Sequence, residues 1–196
     1  MLVIGERLNT SRKGLHAAVE NRDEEFLKEI ARKQLENGAD YLEVNCGTRL
    51  RNEVEDLPWL AKLVQETVDV PLSIDTPRVE AMEPALSVHK GRAIINSISA
   101  ESDRYEKILP LVKKHKSGVI ALCMDDRGIP ETAERKFEVA SNLRASLMSD
   151  GVPEEDIYLD PLVQTVGSNQ AIGVAVVETI RQIARSFPQT HISCGI

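Results

Sequence analysis

The sequence predicts an α/β fold, a (β/α)8 TIM barrel, and two observations lead to it. Six short apolar segments each stop at an Asn or Asp, and strand starts recur about every 30 residues, the length of one βα unit. Since parallel strands all end at one rim of a barrel, we expect a polar site there. The six strand-end residues are Asn9, Asn45, Asp75, Asn96, Asp125 and Asp160.

The third segment shows the pattern most clearly. The apolar run at residues 71–74 stops at Asp75, and Thr76 and Pro77 follow at once. Thr is a favoured N-cap residue, and Pro suits the first helical position because no backbone N–H is needed there. We therefore predict a strand, then Asp75, then a helix capped by Thr76.

The other strands follow the same rule. They are predicted over residues 2–9, 41–45, 92–96, 118–125 and 157–160, and a seventh strand opens at residues 191–196. Polar or charged loops are predicted over residues 10–14, 48–56 and 125–131.

Apolar residues at helical spacing mark the helices between the strands. The helix before the second strand starts at a capping box in residues 21–24, and its predicted buried face consists of Phe26, Leu27, Ile30, Ala31 and Leu35. The helix after Asp75 is interrupted or kinked near Pro84, and Pro110 disturbs the next one.

A doubly wound open sheet is the competing arrangement, but no strand is followed by a GxGxxG turn. Six βα units and the start of a seventh strand fit most of an eight-unit barrel, whose usual length is about 250 residues. We therefore expect residues 1–196 to form one barrel domain, truncated after about six units, with the C-terminal part of the barrel missing from this chain.

Composition excludes several classes of function. The chain has 24 basic and 31 acidic residues and a net charge of −7, which argues against a nucleic-acid surface. No apolar stretch approaches the ~20 residues of a membrane span, and no secretion signal is recognised before the first strand. The three cysteines and four histidines are scattered singly, so we expect reduced thiols, a cytoplasmic protein and no bound metal.

A site rich in Asp and Asn suits a flat nitrogen heterocycle. A carboxylate accepts two parallel N–H bonds, and an Asn amide both donates and accepts. A 2-amino-4-oxo pyrimidine ring, as in a pterin, offers matching donors beside a carbonyl, and a ligand without them leaves buried carboxylates unpaired at a cost of about 1–3 kcal/mol. For any single residue the plainer interpretation is a turn or a helix cap. Asp75, Asn96 and Asp160 stand out because of their neighbours.

Those neighbours carry a resemblance to a known family. Gly-Glu-Arg-Leu-Asn at residues 5–9, Ile-Ile-Asn-Ser at residues 94–97 and Tyr-Leu-Asp-Pro-Leu at residues 158–162 resemble the pterin-binding barrel family. That family includes dihydropteroate synthase, the folate domain of cobalamin-dependent methionine synthase and the methyltetrahydrofolate:corrinoid protein methyltransferases. The chain is most similar to the last of these, also over residues 43–47 and 55–59.

The resemblance implies roles for individual residues. Asp75, Asn96 and Asp160 would hold the pterin ring, with Asp160 on the 2-amino and N3 donors and Asn96 on the same edge. Asp75 would lie nearer the reduced ring and its ordered water. Asn45 and Asn9 are further candidates for binding the substrate at the wall of the site.

The resemblance also implies a reaction, the transfer of a methyl group between N5 of methyltetrahydrofolate and the cobalt of a cobalamin on a partner corrinoid protein. N5 needs a proton or a strong hydrogen bond to leave, and such general-acid assistance is worth about 10²–10⁴-fold. In the family an Asn just beyond the seventh strand reaches N5, and we expect it after Ile196. The catalytic residue is therefore not assigned, and a homodimer is expected when the protein is full length.

Other functions remain open alternatives. A dihydropteroate synthase needs cationic groups for a pyrophosphate leaving group, and residues 162–166 contain no Lys or Arg. A metal-dependent hydrolase would need an HxH pair on the first strand, and a Schiff-base aldolase would need a Lys at a strand end; neither is present. A non-catalytic module that binds folate or docks a corrinoid protein fits the same residues.

Overall fold

The computed structural model describes residues 1–164 and 170–195, which form two compact units, Met1–Asn96 and Ser97–Ile196. Each unit repeats a strand followed by helical segments. Thr165 and Val166, within the sequence segment 162–166, lie outside the described residues, as does Ile196.

The strands of each unit are parallel and are paired in chain order. The first unit pairs β1 (Ile4–Asn9), β2 (Tyr41–Asn45), β3 (Leu72–Asp75) and the start of β4 (Ile94–Ala100). The second unit pairs β5 (Gly118–Asp125), β6 (Ile157–Asp160) and β7 (His191–Ile192). A doubly wound sheet reverses its strand order beside the first strand, so the sequential order of β1 to β4 is that of a barrel.

Helices follow the strands as predicted. The first unit contains α1 (Leu15–Glu20), α2 (Glu24–Glu36), α3 (Glu53–Thr67) and α4 (Val79–Val88). The second contains α5 (Ser102–His115), α6 (Ala133–Ser149) and α7 (Gln170–Ser186). Short 3-10 helices cover Gly47–Asn52 and Glu154–Asp156. Within the described part of the chain, no helix has the length and the hydropathy that crossing a membrane requires.

The core of each unit is aliphatic. In the first unit, β3 buries Leu72 and Ile74 completely, and α3 packs its own buried face, which consists of Leu57, Leu60, Ala61, Leu63 and Val64. In the second unit, α6 buries Val139, Ala140, Leu143 and Leu147. Each buried leucine or isoleucine contributes about 1.5–3 kcal/mol, so these faces hold the strands in place.

Two details at the strand ends differ from the predictions. Five strands end at their predicted Asn or Asp, but β4 continues past Asn96 to Ala100. The α4 helix starts at Val79, not directly after Thr76. The reason is a local turn: the Thr76 hydroxyl accepts the Arg78 N–H at 3.0 Å and therefore closes a turn before the helix begins.

The region around α2 also departs from the predictions. Phe26 and Leu35 are 41% and 38% exposed, so they do not belong to the buried face, which includes Leu27 and Ala31. The N-cap is Asp23, whose carboxylate accepts the Phe26 N–H at 3.3 Å. Two predicted loops also differ. The α1 helix directly follows the loop at residues 10–14, and a 3-10 helix and the start of α3 occupy residues 48–56. Pro84 and Pro110 lie within continuous helices.

A buried ion cluster ties the loops of the first unit together. Asp56 of α3 is 2% exposed and accepts from Arg22 at 2.6 Å and from Arg49 at 2.8 Å. Arg49 also contacts Glu20 at 3.1 Å and the ring of His16 at 3.0 Å. The cluster therefore joins α1, the segment before α2, the 3-10 helix and α3.

Replacing Asp56 with alanine should destabilise the protein by about 3 kcal/mol, because it leaves the nearly buried Arg49 guanidinium with the His16 ring and a single, exposed carboxylate, Glu20. The measurement is the midpoint of urea unfolding. Glu29→Ala, which removes an exposed ion pair with Lys33, is the control and should leave the midpoint unchanged. An Asp56→Ala midpoint equal to that of the wild type would contradict this role of the cluster.

Candidate functional site

Four of the predicted site residues lie side by side in the first unit. Asn9 pairs in register with Asn45, Asn45 with Asp75, and Asp75 with Asn96. All four are half-buried, so part of each side chain is accessible. Pairing at the same level of four adjacent parallel strands places these groups in one row, which we call the rim row.

The centre of the rim row is a hydrogen bond between Asn45 and Asp75. The Asn45 amide nitrogen donates to Asp75 Oδ2 at 2.5 Å. The side-chain oxygen of Asn45, Oδ1, accepts the Gly47 N–H at 2.8 Å. Since a backbone N–H can only donate, this bond fixes which end of the side-chain amide faces Asp75. A Cβ at Gly47 would lie 3.2 Å from Asn45 Oδ1, so the close turn favours glycine there.

A buried carboxyl lies beneath the rim row. Glu43 of β2 is 3% exposed, and its two oxygens face the amide nitrogens of Asn9 at 3.3 Å and Asn96 at 3.4 Å. Both distances exceed the usual range of about 2.7–3.2 Å, so the two bonds are weak. Glu43 precedes Asn45 by two residues and therefore points to the same side of the sheet.

The surroundings of Glu43 favour its neutral form. Burial, followed by the negative charges of Asp75 and Glu6, raises the pKa of Glu43 to about 8, against the opposing effects of the Asn9 hydrogen bond and Arg12. A carboxyl beneath the rim row is thus largely protonated at neutral pH. Glu43 was not among the predicted site residues; the available signal was a single acidic residue inside an apolar strand, two positions before the strand end.

The turn after Asp75 is held by a second buried glutamate. The Thr76 hydroxyl donates to Glu53 Oε1 at 2.5 Å, and Glu53 is completely buried at the start of α3. Because the same hydroxyl accepts the Arg78 N–H, it links α3 to the segment after β3. The position of the Asp75 backbone is therefore coupled to α3.

In the second unit, Asp160 ends β6 and is built into a tight turn. The Leu162 N–H donates to Asp160 Oδ1 at 2.8 Å, and Leu162 has a left-handed φ of 60°. The ammonium of Lys136, a completely buried residue of α6, donates to the Pro161 carbonyl at 2.8 Å. Burial lowers the pKa of Lys136, while Cys123 and Asp160 oppose this effect. The turn that carries Asp160 is thus anchored from the core.

Asp125, at the end of β5, has structural partners. Its carboxylate forms ion pairs with Arg135 and with Arg127, the latter at 3.3 Å, and it accepts the Arg127 N–H at 3.0 Å. These contacts match the interpretation of a strand-end Asp as a turn residue.

The structure therefore brings Asn9, Asn45, Asp75 and Asn96 together. Asp160 belongs to the second unit, and its place beside the other four stays a prediction. Among residues 1–164 and 170–195, no three His, Cys, Asp or Glu side chains group in the way that metal ligands do.

Solved structures show the same fold. The dihydropteroate synthase of Xanthomonas albilineans with 4-aminobenzoic acid superposes with a TM-score of 0.73 at 17% identity, covering 100% of this chain and 71% of that one. The Thermus thermophilus dihydropteroate synthase gives a TM-score of 0.68 at 22% identity, covering 99% and 70%. The predicted TIM-barrel class is confirmed by this likeness together with the sequential strand order.

Sequence comparisons identify the family. The methylcorrinoid:tetrahydrofolate methyltransferase of Eubacterium limosum is 31% identical over 198 residues, which cover 100% of this chain and 73% of that protein. The methionine synthase of Mycobacterium tuberculosis is 30% identical over 207 residues, and the chain spans 17% of it. The family model described as pterin binding enzyme matches residues 5–196, and the chain belongs to that family.

Proposed function

We propose that the protein transfers a methyl group between N5 of methyltetrahydrofolate and the cobalt of a cobalamin carried by a corrinoid protein. The observation that carries this proposal is the 31% identity over the whole chain to a methylcorrinoid:tetrahydrofolate methyltransferase. The rim row supports it, since a row of amides and a carboxylate is suited to the N–H groups of a pterin.

The proposed binding mode assigns the ring contacts to three residues. Asp160 accepts from the 2-amino group and N3, Asn96 lies on the same edge, and Asp75 faces the reduced ring. Asn45 supports Asp75 through the 2.5 Å bond described above, and Asn9 completes the wall. In the turn at Asp160, the Leu162 N–H donates to one carboxylate oxygen, and this hydrogen bond orients the carboxylate.

The chemistry requires control of a proton at N5. When the C–N bond breaks and the methyl group moves to cobalt, the N5 electron pair must take up a proton; in the reverse direction N5 must be unprotonated to attack. The cobalamin supplies the methyl acceptor or donor when its carrier protein docks. No residue of this chain is assigned to the N5 proton, and its role here is to bind and orient the pterin.

Location and assembly complete the proposal. The described cysteines are free, as in a reducing compartment, and we place the protein in the cytoplasm. A corrinoid protein is the proposed partner and a homodimer the proposed state of the full-length protein. The likeness to dihydropteroate synthases, at 22% identity or less, concerns the fold alone.

Asp160→Ala should raise the Kd for methyltetrahydrofolate by about 100-fold or more, because two N–H groups of the ligand lose a charged acceptor. Isothermal titration calorimetry on the full-length protein measures this, and thermal unfolding should show little loss of fold. Asp125→Ala is the matched control, since it removes the same group from the end of the neighbouring strand, and it should retain affinity. Unchanged affinity of the Asp160→Ala variant would count against the proposed binding mode.

Methyl transfer separates an enzyme from a binding module. We expect the full-length protein to methylate or demethylate the cobalamin of a corrinoid protein, seen as a change in the visible spectrum that depends on the folate. Folate binding without any transfer would favour a non-catalytic docking module. Formation of dihydropteroate from a pterin pyrophosphate and 4-aminobenzoate would favour the synthase activity instead.

A further inference from the structure

Glu43, beneath the rim row, is a buried titratable group to which the proposed binding mode assigns no role. It contacts two amides, and no cation is within hydrogen-bonding distance among the described residues. The groups that face it are Asp75 from β3, Glu6 and Arg12 from β1 and its following loop, and the two amides. Burying a carboxyl with only two long hydrogen bonds costs stability, so its presence here calls for a functional explanation.

The Asn9 amide can face Glu43 in one orientation only. The side-chain oxygen of Asn9, Oδ1, accepts hydrogen bonds from the Ser11 N–H at 3.0 Å and from the Ser11 hydroxyl at 2.7 Å. Because the backbone N–H can only donate, the NH₂ end of Asn9 must point at Glu43 Oε1. Oε1 is therefore an acceptor in every protonation state, and a proton on Glu43 belongs on Oε2.

The Asn96 amide has no such lock. Its side chain makes one hydrogen bond within the described residues, to Glu43 Oε2, and no backbone N–H fixes its orientation. An ionised Oε2 attracts the NH₂ end of Asn96, which lies at 3.4 Å, whereas a protonated Oε2 attracts the carbonyl end. Whichever end of the Asn96 amide does not face Glu43 then points toward the accessible side of the rim row.

We propose that Glu43 is a positioning residue that sets the hydrogen-bonding sense of Asn96, and with it the ligand atoms that the rim row accepts. With a proton on Glu43, Asn96 turns its NH₂ group outward and selects a hydrogen-bond acceptor on the heterocycle. Without that proton, Asn96 turns its carbonyl oxygen outward and selects an N–H donor. This inference rests on the proposed function, because the ligand is the reduced pterin.

The pKa of Glu43, about 8, makes the protonated form the one that operates at neutral pH. Loss of the proton as the pH rises through this value should turn Asn96 and weaken binding. If only the protonated form binds, its fraction falls from about nine tenths at pH 7 to about one tenth at pH 9, and the Kd for methyltetrahydrofolate rises about tenfold.

Glu43→Gln tests the proposal directly. The locked Asn9 amide requires the carbonyl oxygen of the introduced glutamine on its side, so the NH₂ group of that glutamine faces Asn96 permanently and imitates the protonated carboxyl. We expect the variant to bind methyltetrahydrofolate within about twofold of the wild type at pH 7 and to lose the tenfold weakening at pH 9. Titration of the ligand itself affects both proteins equally and cancels in the comparison.

Two further variants complete the experiment. Binding of every variant is measured by calorimetry on the full-length protein, and thermal unfolding checks that each variant is folded. Glu43→Met removes both bonding options and should weaken binding about tenfold at every pH. Glu66→Gln, on an exposed face of α3, is the control and should follow the wild type. Should neither Glu43 variant fold, the wild-type profile decides alone: a step near pH 8 supports the proposal and a flat profile overturns it.

The outcomes separate this inference from the proposed function. A wild type that binds methyltetrahydrofolate with the same pH profile as Glu43→Gln overturns the role of Glu43 and leaves the proposed function standing. A wild type that does not bind at any pH overturns the proposed function, and the inference falls with it.

Discussion

The candidate site depends on the register of the parallel strands in the first unit. Asn9, Asn45, Asp75 and Asn96 are level because each pairs with the next along the sheet. Side chains alternate along a strand, so a slip of one residue would turn a rim group toward the helices. The aliphatic side chains of β2 and β3 are completely buried: Leu42, Val44, Leu72 and Ile74. Their burial opposes that slip, because the slip would exchange each of them with a polar neighbour on the strand. The aliphatic core therefore fixes the geometry of the polar row.

Two carboxyls, Asp75 and Glu43, lie on adjacent strands at the rim row, and the negative charge of Asp75 raises the cost of ionising Glu43. Amides surround both groups: Asn45 donates to Asp75, Asn9 donates to one oxygen of Glu43, and the Asn96 amide faces the other oxygen at 3.4 Å. The carboxylate of Asp125 is instead engaged by arginines, as expected of a structural turn. The choice of amide or arginine donors thus distinguishes the rim row from an ordinary strand end.

Much of the fold was readable from the sequence because its signals are local. Strand ends, helix spacing and the sequential order follow from apolar runs and turn residues, and five of six strands end where predicted. The failures depend on contacts that the sequence does not mark. The Thr76 hydroxyl accepts the Arg78 N–H in a turn before α4 begins, and it also donates a hydrogen bond to Glu53, 23 residues earlier in the chain. Glu43 was not predicted because a single acidic residue inside an apolar strand does not by itself indicate what it contacts, and its position becomes clear only beside Asn9 and Asn96.

For two of the strand-end asparagines, the structural and the functional interpretation describe the same bonds. Asn9 and Asn45 each accept a backbone N–H two residues later, which is the turn contact that such residues favour. That contact also determines that their NH₂ groups face Glu43 and Asp75, so the turn orients the carboxyls of the site. Asn96 lies within β4, not at its end, and a strand offers no such turn. Its amide is therefore governed by the one side chain it contacts, which is why the proton on Glu43 matters for what Asn96 can bind.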